Sequence, residues 1–394
     1  MYDPDRLSAM SRAFSIVGIG ETDYAADYEA HRRENTPKDS YELAALAFKR
    51  ALDDCGLERA DIDGLVTGPT LAMERTGEIL GVNPGFAAQG DAVNAVMQAM
   101  LALQSGLAEC VAVVYGNAQR SGAIQYGGPQ AMGGERFLAY VYYSPWGLTS
   151  QGSLYAMMMN RYMHDTGFTE QDLGRIVIGQ RAFAALNPGA IMREPLSLEA
   201  YLQGRLICEP LRLFDYCLIN DGGVAMILTN SERARKLRQP PVSIAGIGRH
   251  DINSEATSLR PRLEDFYHQG HARVAEQVYG MAGIGPEDVD GLQIYDSFSA
   301  HIPFAIEGFG FCGIGEAARL VREGALAPGG RLPVNTSGGM LSESYMQGWN
   351  HQVEAVRQLR LQAGERQLPQ PAHVQYLSDV AGKVASVIYR AEAA

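Results

Sequence analysis

Apolar positions along this chain switch between two spacings. Ser15-Ile-Val-Gly-Ile-Gly20, Cys110-Val-Ala-Val-Val-Tyr115 and Val224 to Thr229 read as short buried strands. Between them run stripes of helical period. Leu43, Leu46, Ala47 and Leu52 predict a helix over Glu42 to Leu52, closed by Gly56. Asp39, with Glu42 three residues on, predicts a capping box at its start. Val93, Val96, Met100 and Leu103 predict a second helix from Asp91 to Leu103, ended by Gly106. Asp61-Ile-Asp-Gly-Leu-Val66 is a polar turn entering a short strand. Val353, Val356 and Leu359 mark a late helix, and closing strands are expected around Val374 and over Val384–Tyr389. Residues 1–12 are a polar lead. Strands alternating with helices define an α/β chain.

The pattern then repeats itself. Ser243-Ile-Ala-Gly-Ile-Gly248 restates the first strand almost letter for letter. Gly283-Ile-Gly-Pro-Glu-Asp-Val-Asp-Gly-Leu292 restates Gly56-Leu-Glu-Arg-Ala-Asp-Ile-Asp-Gly-Leu65 at nearly the same offset. Two coincident matches imply an internal duplication. The expected division is an N-terminal half, 1–239, carrying an excursion over 120–205, and a C-terminal half, 240–394, which begins near Pro240-Pro241. Related halves are expected to pack about a pseudo-twofold axis, with a site where equivalent loops meet.

Composition narrows the function. A length of 394 residues suits two such halves, each able to bury a core. A formal charge of −12 argues against a nucleic-acid partner. No apolar run reaches bilayer length, and Met1-Tyr-Asp-Pro-Asp-Arg6 lacks the character of a signal peptide. Five scattered cysteines, Cys55, Cys110, Cys208, Cys217 and Cys312, fit free thiols in a reducing cytoplasm. The histidines show no HxH or HxxxH pair, so no metal site is expected. Tyr140, Tyr142, Tyr143, Trp146 and Tyr155, with Met157 to Met159, make an aromatic and methionine-rich excursion. It suits either packing against its own half or a partner, or the lining of a bulky apolar substrate site.

Two places carry candidate chemistry. Gln89-Gly90 stands at a strand-to-helix elbow, toward which helix N–H groups point. From Pro333 to Trp349 a short apolar entry leads through Asn335-Thr-Ser-Gly338-Gly339 to Tyr345, and Tyr295-Asp-Ser-Phe-Ser299 follows the repeated second strand. Gly338 and Gly339 permit positive φ and a close backbone approach.

In order and spacing, Ser105-Gly-Leu-Ala-Glu-Cys-Val111, Ala185-Leu-Asn-Pro-Gly189, Cys208-Glu-Pro210, Asn220-Asp-Gly-Gly223, Tyr295-Asp-Ser-Phe-Ser299 and Asn335-Thr-Ser-Gly-Gly339 resemble the thiolase superfamily. They are most similar to its sterol-carrier-protein thiolase branch, over nearly the whole chain. The resemblance implies duplicated halves in a five-layer αβαβα arrangement. It also implies that the four reactive positions of a thiolase are replaced. The nucleophilic cysteine falls on Gln89, the histidine after the Gly-Gly turn on Tyr345, the Asn or His of the third segment on Tyr295, and the C-terminal cysteine at or near Leu377. Glutamine cannot form an acyl-enzyme, so chemistry through one is not expected.

Tyrosine at two substrate-facing positions resembles the steroid side-chain aldolases of this superfamily, which cleave β-hydroxyacyl-CoA thioesters and act with a small OB-fold, zinc-ribbon-type partner. The implied reading is a cytoplasmic, homodimeric lyase that needs no metal or organic cofactor beyond the coenzyme A of its substrate. Tyr345 and Tyr295 are the expected proton-transfer residues. Gln89, Gly338, Gly339, Asp296 and His301 are the expected support. The alternatives are a non-catalytic scaffold subunit and a cysteine-independent acyltransferase.

Overall fold

The computed structural model describes residues 8–34, 37–123, 146, 150–251, 268–380 and 383–392. Tyr140, Tyr142 and Tyr143, expected to matter in the excursion, lie outside them. The strands are β1 (Phe14–Glu21), β2 (Gly64–Thr67), β3 (Phe86–Gln89), β4 (Cys110–Ala118), β5 (Leu206–Cys208), β6 (Leu211–Arg212), β7 (Asp221–Asn230), β8 (Val242–Asp251), β9 (Gly291–Ile294), β10 (His373–Val380) and β11 (Lys383–Ala391). The helices that frame the site are α1 (Ser40–Cys55), α2 (Ala92–Ser105), α3 (Gln151–Thr166), α4 (Glu170–Ala185), α5 (His268–Ala282), α6 (His301–Gly308), α7 (Gly339–Ser342) and α8 (Trp349–Leu359).

Nine strands form one sheet in the order β3-β2-β4-β7-β1-β8-β11-β10-β9. Outward from the β1–β8 junction, β7, β4 and β2 on one side answer β11, β10 and β9 on the other. On each side the first two pairings are antiparallel and the last is parallel. Among the described residues, only β3 has no counterpart. The junction itself is short, pairing Ser15 with Ser243 and Ile16 with Val242.

Period-two alternation divides each strand between two cores. Val111, Val113 and Tyr115 of β4, with Val224, Met226 and Leu228 of β7, face a central core. That core includes Val93, Val96 and Met100 of α2 and Trp349, Val353 and Val356 of α8. Cys110, Ala112 and Val114 turn the other way, onto Ala44, Ala47 and Phe48 of α1. In the second half, Ala245 and Ile388 face Val274 and Val278 of α5. Helices thus lie outside, between and outside the two sheet halves, a five-layer αβαβα arrangement.

The repeated glycines have a packing reason. A Cβ at Gly18 or Gly20 would collide with the carbonyl oxygen of Ala51 or Ala47 in α1. One at Gly246 would strike the Val278 carbonyl in α5. Each helix lies directly on its strand, so the same letters recur wherever that approach recurs. Asp39 caps α1 by accepting from the Glu42 N–H at 2.8 Å, and Gly56 ends it at φ 75°.

Candidate active site

Tyr295 leaves the sheet at the end of β9, and its N–H donates to the Leu377 carbonyl of β10 at 2.8 Å. That bond extends the parallel ladder by one step and aims the next residues past the carboxyl ends of both strands. The loop that follows is lashed to the 215–217 segment. Ser299 donates its N–H to the Asp215 carbonyl and its hydroxyl to the Asp215 carboxyl (2.6 Å), while Cys217 donates its N–H to Ser297. Burial raises the Asp215 carboxyl to about 6.

The 335–339 turn reaches the same place by a different route. Asn335, at φ 54°, accepts from the Ile294 N–H (2.6 Å) and donates to the Ile294 carbonyl (3.0 Å), so its side chain imitates a neighbouring strand. Gly338 and Gly339 follow at φ 107° and 63°. A Cβ at Gly338 would meet Ala184 at 2.6 Å, and one at Gly339 would run into the Asp296 carboxylate. Asp296 is fully buried. It accepts from the Met340 N–H (2.9 Å) at the start of α7 and from His351 Nε2 (2.9 Å) in α8. One carboxylate therefore ties the Tyr295 segment to the turn that leads to Tyr345.

Tyr345 is held by its backbone. Its N–H donates to Asn220 Oδ1 at 2.7 Å, and its carbonyl accepts from Asn117 Nδ2 at 3.4 Å. Asn220 also donates to Ser344 Oγ at 2.8 Å. The outcome is a pair: the hydroxyls of Tyr295 and Tyr345 lie 3.4 Å apart, on residues only 8 % and 6 % exposed.

His301 supports the pair from the side. Its ring stands edge-on to Tyr295 (5.5 Å between centroids) and lies 4.4 Å from Tyr155 of α3, which itself stacks on Phe298. Nε2 meets Ser297 Oγ at 2.9 Å. Complete burial pushes the imidazole down to about 4, so it is neutral at physiological pH.

Gln89 makes its hydrogen bonds elsewhere. It ends the edge strand β3, is exposed, and donates its amide to the Leu71 carbonyl at 2.7 Å. Asp91 caps α2 by accepting from the Asn94 N–H. No hydrogen bond joins Gln89 to either tyrosine among the described residues. Leu377 is buried in β10 and reaches the site only through its carbonyl. Cys55 and Cys110 are buried, whereas Cys208, Cys217 and Cys312 are half-buried, and all five are free. Burial raises the thiols of Cys110, Cys217 and Cys312 to about 12, which keeps them protonated.

Sequence reasoning did not give roles to Asn117, Asn220, Asn335 or His351. Asn220 and Asn335 did stand inside segments that had drawn notice, Asn220-Asp-Gly-Gly223 and Asn335-Thr-Ser-Gly-Gly339, and that was the available signal. Asn117 stands near the end of an apolar strand and His351 stands among the polar residues Asn350 and Gln352, and neither carries such a mark.

The chain belongs to the thiolase superfamily, in its sterol-carrier-protein thiolase-like branch. Residues 254–390 match the family described as "Thiolase C-terminal domain-like". The "Steroid side-chain-cleaving aldolase" of Thermomonospora curvata is 35 % identical over 373 residues, covering 90 % of this chain and 92 % of that protein. The "17-hydroxy-3-oxo-4-pregnene-20-carboxyl-CoA lyase" of Mycobacterium tuberculosis is 35 % identical over 371 residues, covering 89 % and 92 %. Among solved structures, the "Ltp2-ChsH2(DUF35) aldolase" superposes with a TM-score of 0.84 at 32 % identity, over 97 % of this chain and 98 % of that one.

Proposed function

We propose that this protein is a carbon–carbon lyase that cleaves a β-hydroxyacyl-CoA by retro-aldol chemistry. The substrate is a steroid-derived thioester hydroxylated where its side chain meets the ring, and the products are a ring ketone and a short acyl-CoA such as propionyl-CoA. The observation that carries this reading is the Tyr295–Tyr345 hydroxyl pair, 3.4 Å apart, in a chain with glutamine where a thiolase has its nucleophile.

The chemistry suits two phenols. One takes the proton of the β-hydroxyl group, directly or through its neighbour. The electron pair of that O–H bond becomes the ketone C=O, the Cα–Cβ bond breaks, and its electrons pass into the thioester as an enolate. The enolate needs hydrogen-bond donors at its oxygen and a proton at Cα. No covalent intermediate forms, so no thiol is needed. An isolated phenol, with an ordinary value near 10, is a weak base at neutral pH. Two in one dry site share a proton, which lets one act as base while the other donates. We assign Tyr345 as the principal proton-transfer residue and Tyr295 as its partner. Gly338, Gly339, Asp296 and His301 hold them in place, and Gln89 contributes only from the edge. No metal or further organic cofactor enters this scheme.

The partners follow the same reading. A small OB-fold, zinc-ribbon-type subunit is expected, as the name of the solved aldolase pairs it with a DUF35 protein. The chain is also expected to pair with a second copy of itself, because among the described residues β3 ends the sheet and has only β2 beside it, leaving one side of an edge strand open. No helix among the described residues is long and apolar enough to cross a membrane, and a cytoplasmic site of action fits the free thiols. The division into an N-terminal half, 1–239, and a C-terminal half, 240–394, belongs to the same reading.

The test is direct. The protein, with and without the small subunit, is incubated with a 17-hydroxy steroid side-chain CoA thioester, and ketone release is followed. Release of ketone and acyl-CoA supports the lyase; an acyl-enzyme detected by mass spectrometry, or no turnover in either state, overturns it.

A further inference from the structure

Glu343 stands two residues before Tyr345 and is 3 % exposed. It was not singled out by the sequence, and the scheme above does not use it. Its carboxyl is surrounded by neutral donors. Asn187 Nδ2, beyond the end of α4, lies 2.9 Å from Oε1, while Ser337 Oγ and Asn350 Nδ2 lie 2.7 Å and 2.8 Å from Oε2. Its main-chain carbonyl accepts from the Ile191 N–H. Asn187 and Asn350 each make a second bond, to the Ser337 and Ser344 carbonyls. The group thus joins the glycine turn, the segment after α4 and the first turn of α8 at the point from which Tyr345 projects.

The charged groups near Glu343 do not neutralise it. Glu21 of β1 and Glu354 of α8 both repel it. Arg357 is committed to Glu21 (2.7 Å) and Glu354 (3.3 Å), and Arg366 to Glu354 (2.9 Å). Tyr24 bonds to Glu21, not to Glu343. The Arg357 charge reaches Glu343 without an ion pair, and a buried carboxylate with no cation bonded to it carries a large desolvation cost, so the neutral acid is favoured. The acid form is also satisfied: the Ser337 hydroxyl is the partner that can turn to accept its proton. Burial, followed by the Glu21 and Glu354 charges, raises the group to about 8.

We propose that Glu343 is a positioning residue for Tyr345: an uncharged carboxyl that pins three segments together and sets the backbone carrying the reacting phenol. This deepens the lyase reading and rests on it for the catalytic consequence, though not for the structural one. Above about pH 8 the group ionises, its bonds rearrange and the phenol loses its alignment. The stability consequence has a definite sign. Between the ordinary carboxyl value and about 8 the folded chain holds a proton that the unfolded chain has lost, so stability falls as pH rises through that window and levels off above it.

The experiment compares wild type, Glu343→Gln and Glu343→Ala as full-length chains together with the small subunit. Backbone amide exchange over 343–348, melting temperature from about pH 6 to about pH 9, and kcat and KM for the CoA thioester are measured. Glu343→Ala is expected to speed exchange and to lower kcat by about tenfold or more with KM within about threefold, as misplacement of a reacting group does. Glu343→Gln, which keeps the shape and cannot ionise, is expected to recover most of that loss. It should also remove the alkaline fall in kcat and flatten the fall in melting temperature. Wild-type exchange and kcat in Glu343→Ala, or an unchanged pH slope in Glu343→Gln, would overturn the proposal. If wild type itself fails to turn over the thioester, the lyase reading fails, while exchange and melting still decide the role of Glu343.

Discussion

The duplication places two equivalent approaches to the central helices side by side. Gln89-Gly-Asp91 enters α2 in one half, and Tyr345-Met-Gln-Gly348 enters α8 in the other. In the first, an edge strand delivers an exposed glutamine whose amide is bonded to a turn carbonyl. In the second, every residue but the half-buried Gln347 is buried, and side chains of Asn117, Asn187, Asn220 and Asn350 satisfy its backbone and carboxyl groups. One fold has thus retained the geometry of both entrances but invested buried polar contacts in only one. Buried polar groups are costly unless fully paired, so a collar of this kind shows where positions must be held. The proposed proton-transfer residue Tyr345 belongs to the second approach, with its proposed partner Tyr295 at the neighbouring strand end.

The sharpest break in this comparison is to remove one phenol. Tyr345→Phe and Tyr295→Phe each delete a single hydroxyl at the buried end and are expected to lower kcat by roughly 10²-fold or more, the scale of lost acid–base catalysis. Thermal stability should change far less. Steady-state kinetics with the CoA thioester check this; a Tyr345→Phe enzyme with the wild-type rate would remove the phenol from the mechanism.

Next in size is the tie between the two reactive segments. Asp296→Ala leaves His351 and the Met340 N–H without their acceptor in a site with no solvent. The expected loss is about 3–5 kcal/mol of stability, as for other broken buried pairs, measured by denaturant unfolding. Asp296→Asn should cost less, because the side-chain oxygen that accepts from both the Met340 N–H and His351 is retained. Equal stability of Asp296→Ala and wild type would mean that the tie is dispensable.

How much of this was legible beforehand differs between the two approaches. The strand glycines Gly18, Gly20 and Gly246 wrote the duplication into the chain, because a helix backbone lies against each of them. The absence of cysteine at Gln89 and the tyrosines at 295 and 345 were visible as departures from a family pattern. What could not be seen was the collar. Asn117 meets Tyr345 across 228 residues of chain and Asn220 across 125, and no local spacing encodes a contact of that range. Glu343 was hidden for a related reason: in sequence it is one more polar residue in a Ser-rich turn, and only the surrounding elements bury it. The aromatic excursion was half legible. Tyr155 does pack on Phe298 and His301, whereas Met157 is exposed on the far side of the same helix.

A smaller effect tests the flank of the pair. His301 is neutral in the folded chain because burial lowers it to about 4, against an ordinary value of 6.5. As pH falls below about 6.5 the unfolded chain takes up a proton that the folded chain refuses. Stability from this residue is therefore full above that pH and is lost progressively down to about 4, by about 3 kcal/mol at most. Asp215, raised to about 6, contributes the opposite slope over part of the same range, so the comparison must be between variants. His301→Gln should reduce the acid-side fall in melting temperature relative to wild type; an identical fall would assign that slope to another group.

The smallest effect is expected where a thiolase would show its largest. Gln89→Cys restores the family nucleophile at the exposed approach without restoring anything that would activate it. A reactive cysteine needs a base or a positive environment to hold the thiolate, and by the resemblance to thiolases Tyr345 falls where their histidine stands. The Gln89 amide makes its contacts with the turn carbonyls of Gly68 and Leu71, so losing it should cost only a few-fold in lyase rate, the scale of a surface substitution. Mass spectrometry after incubation with an acyl-CoA should show no acyl adduct. An adduct, with stoichiometric release of coenzyme A, would mean that the two approaches still cooperate as they do in a thiolase, and that the loss of the cysteine alone separates the two chemistries.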